Sequence, residues 1–174
     1  MSKIAFLLDT DFEQIEYTKP KQLLEAKGYT TTLITTQPQK QVRGLNHTDP
    51  ADHFTADLLI SEANASDYDA IVLPGGGANA DALRGKQAAQ TLVKAFLDTG
   101  KPVAAICHAP WIFVDMQVAN GKKLTAYKTI ALDLKNAGAN FEDKSVVIDG
   151  NLITSRQPDD IPDFVAAIDT ALNK

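Results

Sequence analysis

Apolar runs of strand length recur along the chain at Ile4-Ala5-Phe6-Leu7-Leu8, Ala70-Ile71-Val72-Leu73-Pro74 and Pro102-Val103-Ala104-Ala105-Ile106. Continuous runs of this kind predict strands buried on both faces, as in a parallel sheet. After the first run, Asp9-Thr10-Asp11 reads as a turn and cap cluster. Ile15, Leu23 and Leu24 then follow at helical spacing, and Gly28 reads as the stop. The β-branched stretch Thr30–Thr35 predicts the next strand, which completes a βαβ unit. Residues 37–66 are less regular. Val42-Arg43-Gly44 and Phe54-Thr55-Ala56-Asp57 are expected as short strands of a small excursion.

Further along, Asp81-Ala82-Leu83-Arg84 predicts a short helical turn, and Ala88–Leu97 an amphipathic helix closed by Gly100. Helices are expected over Ile112–Gln117 and Ile130–Asn136, with a strand over Lys123–Tyr127. Val146-Val147-Ile148 and Leu152-Ile153-Thr154 flank Asp149-Gly150-Asn151, a strong hairpin signal. Asp159 and Asp160 are placed to cap a last helix, Ile161–Leu172. The alternation predicts an α/β fold, with a mainly parallel sheet and helices on both faces.

The 174 residues fit one domain spanning 1–174, with 44% hydrophobic and 22% charged positions, the soluble globular norm. A net charge of −5 argues against a nucleic-acid surface and shows no membrane-binding face. No apolar run approaches the ~18 residues of a membrane span. A single cysteine excludes an internal disulfide, and Met1-Ser2-Lys3 leads straight into a strand pattern rather than a signal peptide. A reducing cytoplasm is therefore expected. His47 and His53 lack the ligand number of a metal site and read as solvated loop residues. Gly75-Gly76-Gly77 is followed by no lysine or serine at P-loop spacing, so no nucleotide cofactor is expected. That glycine run is either a flexible loop or a nest of N–H groups at a strand's carboxyl end.

The candidate chemistry centres on Cys107, where the strand ending at Ile106 meets a predicted helix. Small residues stand two positions away on each side, Ala105 and Ala109, as a nucleophile elbow requires. A helix N-terminus would favour the thiolate, the nucleophilic form. The alternative is a small buried hydrophobe. The acidic cluster after the first strand, the glycines after Leu73, and Cys107 all sit at strand carboxyl ends, where such sheets bind ligands.

The sequence resembles the PfpI/ThiJ family of the class I glutamine amidotransferase-like superfamily. The likeness is carried by Asp11-Phe12-Glu13-Gln14-Ile15-Glu16, by Leu73-Pro74-Gly75-Gly76, and by Ala105-Ile106-Cys107-His108-Ala109-Pro110-Trp111. Asn136-Ala137-Gly138 and Asp149–Arg156 continue it. Ala109 stands where the family usually has glycine. The resemblance implies a flavodoxin-like three-layer sandwich. It makes Cys107 the nucleophile and Glu16 its partner, a protonated carboxyl beside the sulfur; the residue pattern alone makes Glu16 a solvated carboxylate at a helix start. Glu13 is the neighbouring carboxyl, on another helix face.

The resemblance also makes Gly75, Gly76 and the His108 backbone oxyanion donors, and His108 a general acid or base. It further implies a homodimer or higher homo-oligomer in which Asp81 of a second copy orients His108; the pattern alone reads Asp81 as a helix N-cap. Family activities span protease, deglycase, glyoxalase and stress chaperone. The expected partner is a small carbonyl-derived or glycated substrate, or a peptide. A glutaminase reading is weaker, since Tyr127 onwards contains no histidine. A non-enzymatic redox sensor using Cys107 oxidation is the alternative from a different class.

Overall fold

Strand β1 (Lys3–Leu8) leads through the two-residue β2 (Phe12–Glu13) into helix α1 (Gln14–Ala26) and strand β3 (Thr30–Thr35). The excursion follows as β4 (Gln41–Asn46) and β5 (Asp49–Thr55), then the short β6 (Leu58–Leu59) and β7 (Ala70–Leu73). Helices α2 (Gly77–Arg84) and α3 (Gln87–Asp98) precede β8 (Val103–Ile106) and α4 (Ile112–Asp115). The chain closes with β9 (Lys123–Leu124), α5 (Ala131–Asn136), β10 (Asn140–Phe141), β11 (Val146–Asp149), β12 (Leu152–Ser155) and α6 (Ile161–Leu172). This computed structural model describes residues 1–174.

Seven strands form the central sheet in the order β11-β12-β8-β7-β1-β3-β6. Every pairing is parallel except the β11–β12 hairpin at one edge. Because side chains alternate along a strand, the apolar runs split between two faces. Ala5, Leu7, Ile71, Leu73, Val103 and Ala105 pack on the side of α3, through Ala89, Leu92, Val93 and Phe96. Ile4, Phe6, Leu8, Val72, Ala104 and Ile106 pack on the other side, with Leu24 of α1 and Phe164 and Ile168 of α6. This is the three-layer, flavodoxin-like α/β sandwich expected, with helices on both faces.

The excursion is a β4–β5 hairpin extended by β2, longer than its expected pieces. Its foot sits on an aromatic cluster of Phe6, Phe12, Tyr17 and Phe54, with ring centroids 5.4 to 5.8 Å apart. Gln14 of α1 ties it down, donating to Asp52 Oδ2 and accepting from the Asp52 N–H, both at 2.8 Å. Gly44 faces that side chain, where a Cβ would lie 2.5 Å from Gln14 Oε1.

Several elements end where their hydrogen bonds are claimed elsewhere. Helix α4 stops short of the expected Gln117, because Gln117 adopts a left-handed φ of 58° and the Val118 N–H turns back to Phe113 O. Strand β9 stops at Leu124, because the Thr125 N–H goes to Thr154 Oγ1 and the Tyr127 N–H to Cys107 O. Asp160 occupies the N-cap position of α6 as expected, but its side chain makes no cap bond; the carboxylate instead accepts from Arg156 at 2.9 and 3.0 Å. The acidic residues after β1 are likewise structural. Asp9 is buried and bonds Lys86, Thr36 and Gln37. Burial would raise its pKa, but those bonds and the Lys86 charge hold it below the usual carboxylate range. Asp11 pairs with Arg43 at 2.7 Å.

Candidate active site

Directly after strand β8 comes Cys107, whose φ is +64°, a conformation costing an L-residue about 1–3 kcal/mol. The backbone is held there from both sides. Its N–H donates to Ser155 O on β12 at 3.0 Å, and its carbonyl accepts the Tyr127 N–H at 2.8 Å. The strained turn aims the thiol at the crevice beyond the sheet's carboxyl edge. Cys107 is 7% exposed and forms the floor of a pocket of about 380 Å³. Ala109 is buried in the α3-side core, so the small-residue demand at that position comes from packing as well as from the turn.

Glu16 lies in the first turn of α1 with its side chain fully buried. It is not the solvated carboxylate of the bare pattern. Its Oε2 accepts the Gly75 N–H at 2.8 Å, while Oε1 is buried without a hydrogen-bond partner. Burial pushes its pKa up to about 8; the Gly75 bond and Cys107 oppose this, and the Glu13 charge adds to it. Glu16 is therefore protonated at neutral pH, and Oε1, the oxygen that Gly75 does not engage, is left to carry the proton.

Burial is also the largest influence on Cys107 and pushes the thiol up, reinforced by the Glu16 carboxylate; the N–H groups of His108 and Gly76 pull it down. The expected lowering by a helix N-terminus is not what the structure provides. A 3-10 turn, Ala109–Trp111, intervenes, and α4 is a single turn. Protonating Glu16 removes the like-charge penalty, so thiolate and carboxylate compete for one negative charge.

His108 Nδ1 lies 3.2 Å from Cys107 Sγ, and Nε2 lies 3.3 Å from Thr129 Oγ1. The ring stacks on Tyr127 with centroids 4.9 Å apart and planes 27° from parallel. Burial lowers the His108 pKa, so the neutral imidazole prevails near pH 7. A neutral ring with its proton on Nε2, toward Thr129, leaves Nδ1 free to accept from the thiol.

The glycines divide their roles. Gly75 is not the oxyanion donor that the resemblance implies, because its N–H is taken by Glu16. A Cβ there would meet Glu16 Oε2 at 2.5 Å, Ile106 O at 2.7 Å and Cys107 Cβ at 2.8 Å. Gly76 has φ +90°, and a Cβ there would lie 2.5 Å from Glu13 N. Gly76 and His108 are left as the N–H donors converging on the sulfur. Asn79, buried on α2, holds the Pro74 and Gly75 carbonyls at 3.1 and 3.0 Å. Gly75→Ala is accordingly expected to lower stability by about 2–4 kcal/mol and to abolish thiol reactivity. Denaturant unfolding with iodoacetamide kinetics checks this; a reactive, stable variant would contradict it.

Asp81 is not a cap. Helix α2 begins at Gly77 with Gly76 as its N-cap, and Asp81 is exposed midway along it, outside the thiol pocket. Within one chain, Thr129 rather than Asp81 meets the histidine. Glu13 is no bystander on another helix face: it lines the pocket and accepts the His47 N–H at 3.2 Å. His47 is the solvated loop residue expected, at the β4–β5 turn with φ +58° and its side chain 85% exposed, and from there it also lines the pocket with Thr48. Neither is legible in sequence, because the excursion's return to the sheet edge is a tertiary event. No group of three or more His, Cys, Asp or Glu side chains is arranged to hold a metal ion. No helix is long and apolar enough to cross a membrane.

A DJ-1/PfpI family model matches residues 2–170. The chain is 41% identical over 162 residues to a Bacillus subtilis protein named "Putative cysteine protease YraA", covering 93% of each. It is 42% identical over 164 residues to an uncharacterized protein of Staphylococcus aureus strain Mu50, again covering 93% of each. Among solved structures, a two-domain Anabaena variabilis protein with DJ-1/ThiJ/PfpI-like and ferritin-like domains superposes with a TM-score of 0.91 at 33% identity. That match covers 99% of this chain and 48% of the other, so this chain spans about half of the two-domain protein. A ThiJ/PfpI domain protein from Brachyspira murdochii matches with a TM-score of 0.90 at 28% identity, over 98% and 96% of the two chains.

Proposed function

Because the chain belongs to the DJ-1/PfpI family, we propose that its crevice is the active site of a cysteine-dependent hydrolase or lyase acting on a carbonyl-derived carbon. One observation carries the reading. A thiol on a strained strand end faces a histidine nitrogen at 3.2 Å and shares its pocket with a buried, protonated carboxyl. His108 Nδ1 accepts the thiol proton as sulfur attacks the carbonyl-derived carbon, forming the S–C bond. The oxygen's developing charge is met by the N–H groups of Gly76 and His108. Glu16 keeps its proton and hydrogen-bonds the sulfur while the negative charge sits there. With a peptide, collapse of the oxyanion breaks the bond to the leaving amine, which takes the proton held by His108; with an α-oxoaldehyde or its adduct, any bound amine or thiol leaves with that proton and a proton shift from the attacked carbon to the neighbouring carbonyl carbon gives the same kind of thioester. Water then attacks the thioester carbon and gives its proton to His108, the S–C bond breaks, the acid product leaves, and the thiolate recovers the proton.

A pocket of about 380 Å³ suits a small aldehyde, a hemithioacetal or an aminocarbinol better than a folded polypeptide. The expected activity is deglycase- or glyoxalase-like, with short peptides as the second substrate class and a role in stress defence in a reducing compartment. A purified-protein panel of methylglyoxal, glycated thiols and a fluorogenic peptide, run beside Cys107→Ala, tests it. Cysteine-independent turnover, or none on any member, counts against the reading. The redox-sensor alternative is less well served by a 7% exposed thiol whose pKa burial raises.

The exposed Asp81 is available to a second copy, where it would complete His108 in a homo-oligomer. Asp81→Ala, or dilution to monomer, is then expected to lower kcat about tenfold or more. Full activity in a monomer by sedimentation would exclude this.

A further inference from the structure

Beside the thiol pocket lies a larger cavity of about 630 Å³. The two share Glu13, His47, Tyr127 and Pro158 in their walls and so form one continuous cleft. The outer compartment has an aliphatic part, with Ile15 (45% exposed) and Leu45. It also has an acidic part, Asp159 and Glu13, while no lysine or arginine lines either compartment. Asp159 is exposed, and the nearby Arg156 is turned away to Asp143 and Asp160. The wall is preorganised, because Gln14 fastens the β4–β5 hairpin to α1 across Asp52. At the inner end, Glu16 Oε1 is fully buried and unpartnered.

We propose that this outer compartment is a subsite for the non-reacting end of the substrate. It selects a flexible aliphatic stem that ends in a cation, as in a lysine- or arginine-like amine. The stem packs on Ile15 and Leu45, and the cationic end faces Asp159 and Glu13 while the carbonyl-derived carbon lies at Cys107. The proposal rests on the active-site reading above for its substrate, but the charge selection can be measured without turnover.

The experiment times modification of Cys107 at pH 7 by two methanethiosulfonate reagents, one with a trimethylammonium tail and one with a sulfonate tail. The thiolate attacks the reagent's sulfenyl sulfur, a mixed disulfide forms, and methanesulfinate leaves. Each rate is divided by that of free glutathione. The native protein is expected to favour the cationic reagent about tenfold, two partly exposed charges contributing about threefold each. Asp159→Asn and Glu13→Gln should each lower the preference about threefold; in the second, the amide oxygen would still accept the His47 N–H. Asp98→Asn, at the far end of α3, should leave it within experimental error and so controls for net charge. A preference that neither Asp159→Asn nor Glu13→Gln moves, or that Asp98→Asn moves equally, overturns the subsite. Turnover retained by Cys107→Ala, with the charge preference as expected, would sink the catalytic reading and leave the subsite standing; the opposite pattern would do the reverse.

Discussion

Cys107→Ala is expected to lower turnover by about four orders of magnitude or more, to the level set by binding alone. The carbon–sulfur bond has no substitute donor, since Cys107 is the chain's one cysteine. The other polar groups lining the pocket are the Thr48 and Tyr127 hydroxyls, two histidines and two carboxyl groups, none of which carries a sulfur. Cys107→Ser is a sharper version of the test. It keeps the left-handed turn and nearly the same volume, but its hydroxyl needs a far stronger base than a neutral His108. Alanine at φ +64° carries the same backbone strain as cysteine, so folding should survive in both variants. Circular dichroism and a denaturation midpoint establish that survival, and steady-state kinetics then read the chemistry. More than a tenth of native activity in a folded Cys107→Ala would remove the thiol from the mechanism.

Glu16→Gln is expected to change how stability depends on pH. The Glu16 pKa rises from 4.5 to about 8 on folding, chiefly through burial. The folded protein therefore binds this proton more tightly than the unfolded chain does. The associated stability is fully present below about pH 4.5 and is lost as pH rises through about 8. Other groups act the other way: the lowered pKa of Asp9 adds stability as pH rises through the acid range. The informative quantity is thus the difference between native protein and variant. Between pH 5 and pH 9 the native protein should lose several kcal/mol relative to Glu16→Gln. Glutamine keeps an acceptor for the Gly75 N–H but cannot ionise. Urea titrations of both proteins across that range measure the difference, and parallel curves would mean that Glu16 is already charged at neutral pH. The same variant should slow Cys107 alkylation, because the proton shared with sulfur is gone.

The sheet is legible in the sequence because a strand buried on both faces must be apolar throughout, and Ile4–Leu8, Ala70–Leu73 and Val103–Ile106 are. The hairpin at Asp149–Leu152 is legible because Gly150 supplies the turn's positive φ, 59°. Cys107 can be singled out because an abrupt strand end with small neighbours is a local steric pattern. Glu16 cannot be separated from Glu13 by pattern alone. Both acids lie within four residues at the start of α1, Glu13 just before it and Glu16 in its first turn, and the family resemblance, not the periodicity, points to Glu16.

The order of residues thus dictates whatever depends on near neighbours along the chain: the apolar strands, their turns, the place of the nucleophile. Which groups surround that nucleophile was settled only when distant segments packed together. Gly75 became the holder of Glu16 because its N–H meets a carboxyl from α1, and Asp9 became a structural anchor because Lys86 reaches it from α3's start. The thiol's pKa turned upward because burial outweighs a helix end only one turn long. These are interactions across tens of residues, set by packing and desolvation, which no local pattern encodes.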